Sequence, residues 1–258
     1  MTDFDDRWLD VDFTQEAPYT FGDLGAQTFG WPSFEERFGT LSEAEIREAI
    51  AHMDAHGGSL DLLVTRIFDQ RQEGSCVANA TGQAHQLAQA VMLGVDRVVQ
   101  VSAISLYKRI GRTASSGAFV SDGWKELNRR GILPLDTPEN RERFGEHVMP
   151  NTGFNVPFPA GWESTGIQFA GIEAWNINTM AGLESALCKR FPVVVGREGH
   201  SICYCRPMRD SRGRRIHKYV NSWSEDWGEN GFGFDSEAKI QQAARYAFAL
   251  RAVRTPGV

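Results

Sequence analysis

Residues 70 to 94 read QRQEGSCVANATGQAHQLAQAVMLG. Apolar residues recur at three- and four-residue steps (Val77, Ala80, Ala84, Leu87, Val91) and Gly94 stops the pattern, so a long helix is expected to begin at Cys76. Gly74 and Ser75 form the loop that delivers Cys76 to the first turn. There the helix dipole and the backbone N–H groups left outside the intrahelical ladder favour the thiolate over the thiol. A cysteine so placed is more often a small buried hydrophobe than a nucleophile. Its neighbours have to decide.

Gln70 lies six residues before Cys76, giving Q-x-x-x-G-S-C at the entry to the helix. This resembles the nucleophile segment of the papain-like cysteine peptidases. The resemblance implies that the Gln70 side chain and the Cys76 backbone amide form an oxyanion hole for acyl transfer. It also demands a histidine and an amide partner far downstream, on strands of the second half. His200 in GHSICY meets the first demand. Asn221 meets the second, opening NSWSEDWGENGFG at residues 221 to 233, which is similar to the family's N-S-W-G-x-x-W-G-x-x-G-Y. The separations from Cys76 are close to the roughly 130–150 residues of this arrangement. By the resemblance, His200 takes the thiol proton, Asn221 orients the imidazole, and Trp223 shields their bond from water. Gly199, next to His200, and Gly117 with Ala118, in the SSGA stretch where the family has C-N-G-G, are expected to meet substrate.

The same resemblance implies an α+β fold in two packed parts. A helical half carries Cys76, an antiparallel sheet-rich half carries His200 and Asn221, and the cleft between them is the active site. The residues divide accordingly. Residues 1–64 are an extension made of an acidic arm with isolated aromatics (Phe13 among them) and one helix from Ser42, capped by Ser42 and Glu45 and ended by Gly57. Residues 65–155 are mainly helical, with further helices from Ser102 and Ser121. Residues 156–258 carry a helix from Thr179 and strands at VVV (193–195), SICYC, KYVN and YAFALRAV.

Several departures from the family qualify the resemblance, among them Val77 in place of the usual aromatic residue after the nucleophile and Ala118 in place of the second glycine of C-N-G-G. The family's usual disulfide would join positions 73 and 115, which are Glu73 and Ser115 here, so both partners are lost together. The connection from PVVV to His200 is far shorter than usual, so a loop that helps wall the specificity pocket is missing. The stretch after the histidine strand is instead longer, with Arg206, Arg209, Arg212, Arg214, Arg215 and Lys218 against Asp210. It reads as a solvated hairpin tip or as a site for an acidic partner, such as the Asp-rich arm.

The 258 residues are 41% hydrophobic and 23% charged, with net charge -6, which excludes wholesale disorder and argues against coating nucleic acid or an anionic membrane. Four cysteines are too few for a disulfide framework, and the acidic start is unlike a signal peptide, so a cytoplasmic, reducing setting is expected. Apolar runs are too short to span a bilayer. His52 and His56 share a helix face, but Met53 stands where a zinc-peptidase motif has Glu. No metal or cofactor is expected. The expected activity is thiol-dependent cleavage of peptide or isopeptide bonds in a protein or peptide substrate. The alternatives are acyl or amide transfer from the same triad, or a fold reused as a structural or interaction subunit with latent activity.

Overall fold

The computed structural model describes residues 5–13 and 32–256; Phe4, Tyr19, Phe21, Phe29 and Trp31 of the arm lie outside them. In chain order the elements are α1 (Phe34–Phe38), α2 (Glu43–His56), α3 (Cys76–Leu93), α4 (Ala103–Ile110), α5 (Val120–Arg130), α6 (Pro138–Phe144), α7 (Trp162–Gly166), β1 (Gly171–Asn176), α8 (Met180–Cys188), β2 (Val193–Arg197), β3 (His200–Arg209), β4 (Arg215–Val220), β5 (Phe232–Ser236), α9 (Glu237–Ala243) and β6 (Ala244–Val253). The strands form one antiparallel sheet in the order β1-β6-β2-β3-β4-β5. The fold is α+β, with α3 packed between the helical part and strands β2, β3 and β6.

The repeating apolar steps of α3 predict an amphipathic helix, yet it is buried all round from Cys76 to Ala90. Three of its buried polar residues bond to backbone outside the helix, while Gln83, also buried, has no hydrogen-bond partner for its side chain. Gln89 donates from Nε2 to the Val99 carbonyl and accepts from the Val99 N–H, both at 3.0 Å. Gln86 Oε1 accepts from the Val101 N–H at 2.9 Å. His85 Nε2 must donate to the Phe169 carbonyl (3.0 Å), so its Nδ1 accepts from Gln89 (3.1 Å). These amides replace the partners that the irregular 99–101 segment would otherwise lack. Close approach needs glycine: a Cβ on Gly123 of α5 would stand 2.8 Å from Thr81 Oγ1 of α3.

Helix starts follow the expected caps. Ser42 and Glu45 form a capping box at α2, Ser102 accepts from Ser105 at α4, and Thr179 accepts from Gly182 at α8. Helix α1 is an element that the irregular arm expectation does not include; Ser33 and Glu36 build a capping box there too. Its Glu35 reaches the amides of Asn178 and Thr179 and so caps α8 from outside, each at 2.9 Å.

The basic stretch after β3 is less loop than expected, because β3 and β4 extend through it. Arg212 and Arg214 are exposed at the hairpin tip, as expected of a solvated turn, whereas four other cations of the stretch meet acids elsewhere in the chain. Arg209 and Arg215 pair with Glu43 of α2 and with buried Glu184 of α8, and Arg206 pairs with Asp54 and Asp61. Lys218 joins Asp61 at 3.1 Å. Among the described residues, the acids that these cations meet lie on α2, on α8 and on the helical turn Leu60–Leu63.

His85 is fully buried, and burial pulls its pKa down to about 3, against a weaker opposing effect of the Phe169 carbonyl. Its unfolded pKa is near 6.5. The stability that comes from keeping it neutral is thus complete above about pH 6.5 and is lost as pH falls towards 3. By pH 5 the loss from this one ring is about 2 kcal/mol. In His85→Gln the drop in urea midpoint between pH 7 and pH 5 should be smaller than in the wild type.

Candidate active site

The connection between β2 and β3 is a two-residue turn, Glu198-Gly199, with φ of +53° and +78°. Positive φ at both positions is the primed turn that suits tight hairpins and explains glycine at the second. Arg197 pairs with His200 across it, so His200 stands at the first rung of β3.

Asn221 follows β4. Its Oδ1 accepts the backbone N–H of Ser222 at 2.8 Å, which identifies that atom as the oxygen. His200 Nε2 lies 2.7 Å from the same oxygen and must therefore donate. In the neutral ring the lone pair is then on Nδ1, which is buried with no hydrogen-bond partner. The Trp223 ring packs on the imidazole with centroids 4.6 Å apart. Burial pulls the His200 pKa down to about 3; the Asn221 bond opposes this and the Arg197 charge adds to it. Burial thus favours the neutral imidazole.

The Cys76 segment is laced to the Asn221 turn. The Gln70 N–H donates to the Ser222 carbonyl (2.9 Å), Ser222 Oγ donates to Gln70 Oε1 (2.6 Å), and the Ser224 N–H donates to the Phe68 carbonyl (3.1 Å). Gln70 Nε2 commits one of its two N–H bonds to the Glu73 carbonyl at 2.8 Å. Cys76 is the first residue of α3, which packs on β3, the strand that His200 opens. The expected site residues Gln70, Cys76, His200, Asn221 and Trp223 are all buried in this region.

Gly117 and Ala118 sit beside the same loop. The Gly74 N–H donates to the Ala114 carbonyl at 2.8 Å, and a Cβ on Gly74 would lie 2.9 Å from the Gly117 nitrogen. This close approach is what the glycine of Q-x-x-x-G-S-C permits. The Gly117 N–H, however, donates to Tyr107 Oη at 3.2 Å, so pairing of Gly117 with an extended substrate would run through its carbonyl.

None of the four cysteines is in a disulfide. Where the family's bridge would start, Glu73 Oε1 instead accepts the N–H groups of Gly153 (2.9 Å) and Phe154 (2.8 Å). These two bonds tie the loop before α3 to the 153–154 segment, and the buried Oε2, which has no hydrogen-bond partner, offsets part of their gain. Burial raises the pKa of Cys188 to about 11 and also raises those of Cys203 and Cys205, which keeps these thiols protonated.

Sequence reasoning did not single out Arg197 or assign Phe13 a place. The Arg197 guanidinium is buried, donates to Asp235 Oδ1 (2.7 Å) and the Val11 carbonyl (3.0 Å), and lies 4.2 Å from the Phe13 ring centre. A lone arginine in GREGH gives little signal; an isolated phenylalanine in an acidic arm gives slightly more. Among the described residues no helix is long and apolar enough to cross a membrane, and no group of three or more metal-ligating side chains is assembled.

No family model matches the sequence, and no curated protein matches it either. Solved structures do. Xylellain, a cysteine protease from Xylella fastidiosa, superposes with a TM-score of 0.66 at 19% identity over 91% of this chain and 97% of its own. Procathepsin B S9 from Trypanosoma congolense gives 0.62 at 14% identity, over 92% and 87%. Digestive procathepsin L 3 of Tenebrio molitor larval midgut gives 0.59 at 14%, over 88% and 95%. Identities this low speak for architecture, and the architecture agrees over nearly the whole chain: this protein has the papain-like cysteine peptidase fold.

Proposed function

We propose that the protein is a thiol-dependent hydrolase that cleaves a peptide or isopeptide bond through an acyl-enzyme on Cys76. The observation that carries this reading is the state of His200. Nε2 is locked as a donor to Asn221, and the lone pair is on a buried Nδ1 with no hydrogen-bond partner. In the proposed reaction the Cys76 thiol proton passes to His200 Nδ1 as the S–C bond forms. The oxyanion is held by Gln70 Nε2 and the Cys76 N–H at the start of α3. The C–N bond then breaks, the leaving amine takes the proton from His200, and water activated by the same nitrogen releases the acid from the thioester. Asn221 keeps the ring in its plane and Trp223 keeps water from the bond. Gly117, Ala118 and Gly199 line the path of the substrate. A reducing, cytoplasmic setting fits the Glu73 tie that stands in for the family's bridge.

A second reading has its own support. Cys76 and His200 both expose no surface (0%), so in this closed state a substrate must first displace whatever covers them. That favours a latent enzyme or a fold retained as an interaction subunit. Amide transfer uses the same residues, with an amine instead of water resolving the thioester.

Four outcomes test the proposal. A peptidyl epoxide, whose C–O bond opens as the Cys76 S–C bond forms, should label native protein at Cys76 at neutral pH. Failure to label, with Cys76 reactive towards a general thiol reagent after denaturation, would leave the subunit reading. His200→Ala should slow labelling by about 10²–10⁴-fold, and Asn221→Ala by less. The acid limb of the labelling rate should fall well below pH 6.5, because burial keeps His200 neutral down to about pH 3; Asn221→Ala and the wild type are compared by rate measurements from pH 3 to 8. Finally, mass spectrometry of one glutamine-containing peptide incubated with added amine should show the hydrolysed product in excess of the amine adduct.

A further inference from the structure

The Glu198-Gly199 turn leaves the two residues that flank it, Arg197 and His200, with little covering chain of their own hairpin. The space above them is filled from the other end of the protein. Phe13 stands edge-on to the His200 imidazole, with centroids 4.6 Å apart and planes at 72°. It also packs at 5.3 Å from Trp223, and its ring centre is 4.2 Å from the Arg197 guanidinium. The imidazole is thus bounded by Trp223, by Phe13 and by the Asn221 oxygen at Nε2.

We propose that Phe13 is a positioning residue for His200: the N-terminal segment supplies the wall that the shortened β2–β3 connection omits, fixes the plane of the imidazole and keeps water from the Nε2–Asn221 bond. This rests on the reading of His200 as the base of Cys76. Edge-on packing constrains a ring in two directions, since both the distance and the tilt are set by the quadrupoles of the pair.

The segment is built in, not laid across the surface. The Asp10 N–H donates to the Phe234 carbonyl at 2.8 Å, and the Asp10 carboxylate accepts from the Ser236 N–H and Oγ, both at 2.7 Å. The Val11 carbonyl accepts from Arg197, whose other bond is to Asp235, and Asp235 in turn accepts from Tyr204 Oη at 2.5 Å. Arg197, Asp235 and Tyr204 expose no surface. Withdrawing the segment would strip a buried guanidinium of a carbonyl and an aromatic face at once, the kind of uncompensated burial that proteins avoid. A cover that must leave for substrate to enter would not be anchored through the charge network beneath the site.

The test uses the full chain labelled with ¹⁵N-histidine. Two readouts are taken at pH 7: the rate of epoxide labelling at Cys76, and the exchange of the His200 Nε2–H proton with water. Phe13→Ala should slow labelling at least tenfold and speed exchange at least tenfold. Phe13→Leu, which refills the space, should recover most of both. Labelling of the alanine variant as fast as the wild type or faster overturns the proposal and makes the segment a cover. If the wild type does not label, the hydrolase reading fails, and exchange alone decides about Phe13: unchanged exchange in the alanine variant overturns the proposal, faster exchange sustains it. Asp10→Ala, which unties the segment at Ser236 without touching the imidazole, should move both readouts in the same direction; it stands in if Phe13→Ala does not fold, and unchanged readouts in it overturn the proposal.

Discussion

Two stretches of chain 152 residues apart share a seam at Gln70 and Ser222, and the candidate site exists only while that seam is closed. The backbone bond from Gln70 to Ser222 and the hydroxyl bond back to Gln70 fix the loop before α3 against the turn after β4. Neither could close so long a loop by itself, because each net hydrogen bond is worth about 1 kcal/mol against the entropy of ordering the chain. The closing force is the burial of α3 against β2, β3 and β6. Core packing brings the halves together, and the seam then sets the register to within a hydrogen bond's tolerance. The placement of Cys76 and His200 is in this sense a by-product of how tightly the central helix is enclosed.

Local rules explain why much of this could be read in the sequence. Caps are local: Ser42 with Glu45, Ser102 and Thr179 announce helix starts because their hydroxyls satisfy amides within three residues. The spacing around Gln70, Cys76, His200 and Asn221 is legible because the proposed reaction would need a donor, a nucleophile, a base and an orienting amide on particular elements. What could not be read is decided by partners far along the chain. The polar residues of α3 look like a solvent face in a periodicity plot, yet Gln86 and Gln89 point at the backbone of residues 99 to 101. Arg209 and Arg215, at the ends of β3 and β4 that flank the turn, look solvated in the sequence, yet their acids lie on α2 and α8. Helix α1, β1 and β5 are too short to stand out by pattern and depend on neighbours for their stability.

Buried polarity is therefore organised in two ways. Around α3 it is neutral: Gln86, Gln89 and His85 meet backbone groups, while the Gln83 side chain and Gln86 Nε2 are buried without a partner. Below His200 it is ionic, with Arg197, Asp235 and Tyr204 closing on one another and on the Val11 carbonyl. A buried ion pair is weak grounds for stability, since hydrophobic residues of the same volume often do as well. It is a strong device for geometry, because a guanidinium offers several donors in a fixed plane. The arginine opposite His200 ties three strands and the N-terminal segment to one point.

The carboxylate of Glu73, three residues before Cys76, holds the amides of Gly153 and Phe154 at the position from which the family's cystine would run to residue 115. A nucleophilic thiolate is also an efficient attacker of disulfides, so a cystine next to it is a standing partner for exchange whenever the centre is activated. A tie made of one carboxylate and two amides has no sulfur to attack and no reduced form. The scaffold and the reactive group are thereby chemically blind to each other. Conditions that keep a cysteine nucleophile in its reduced, competent form leave the loops around it just as firmly joined.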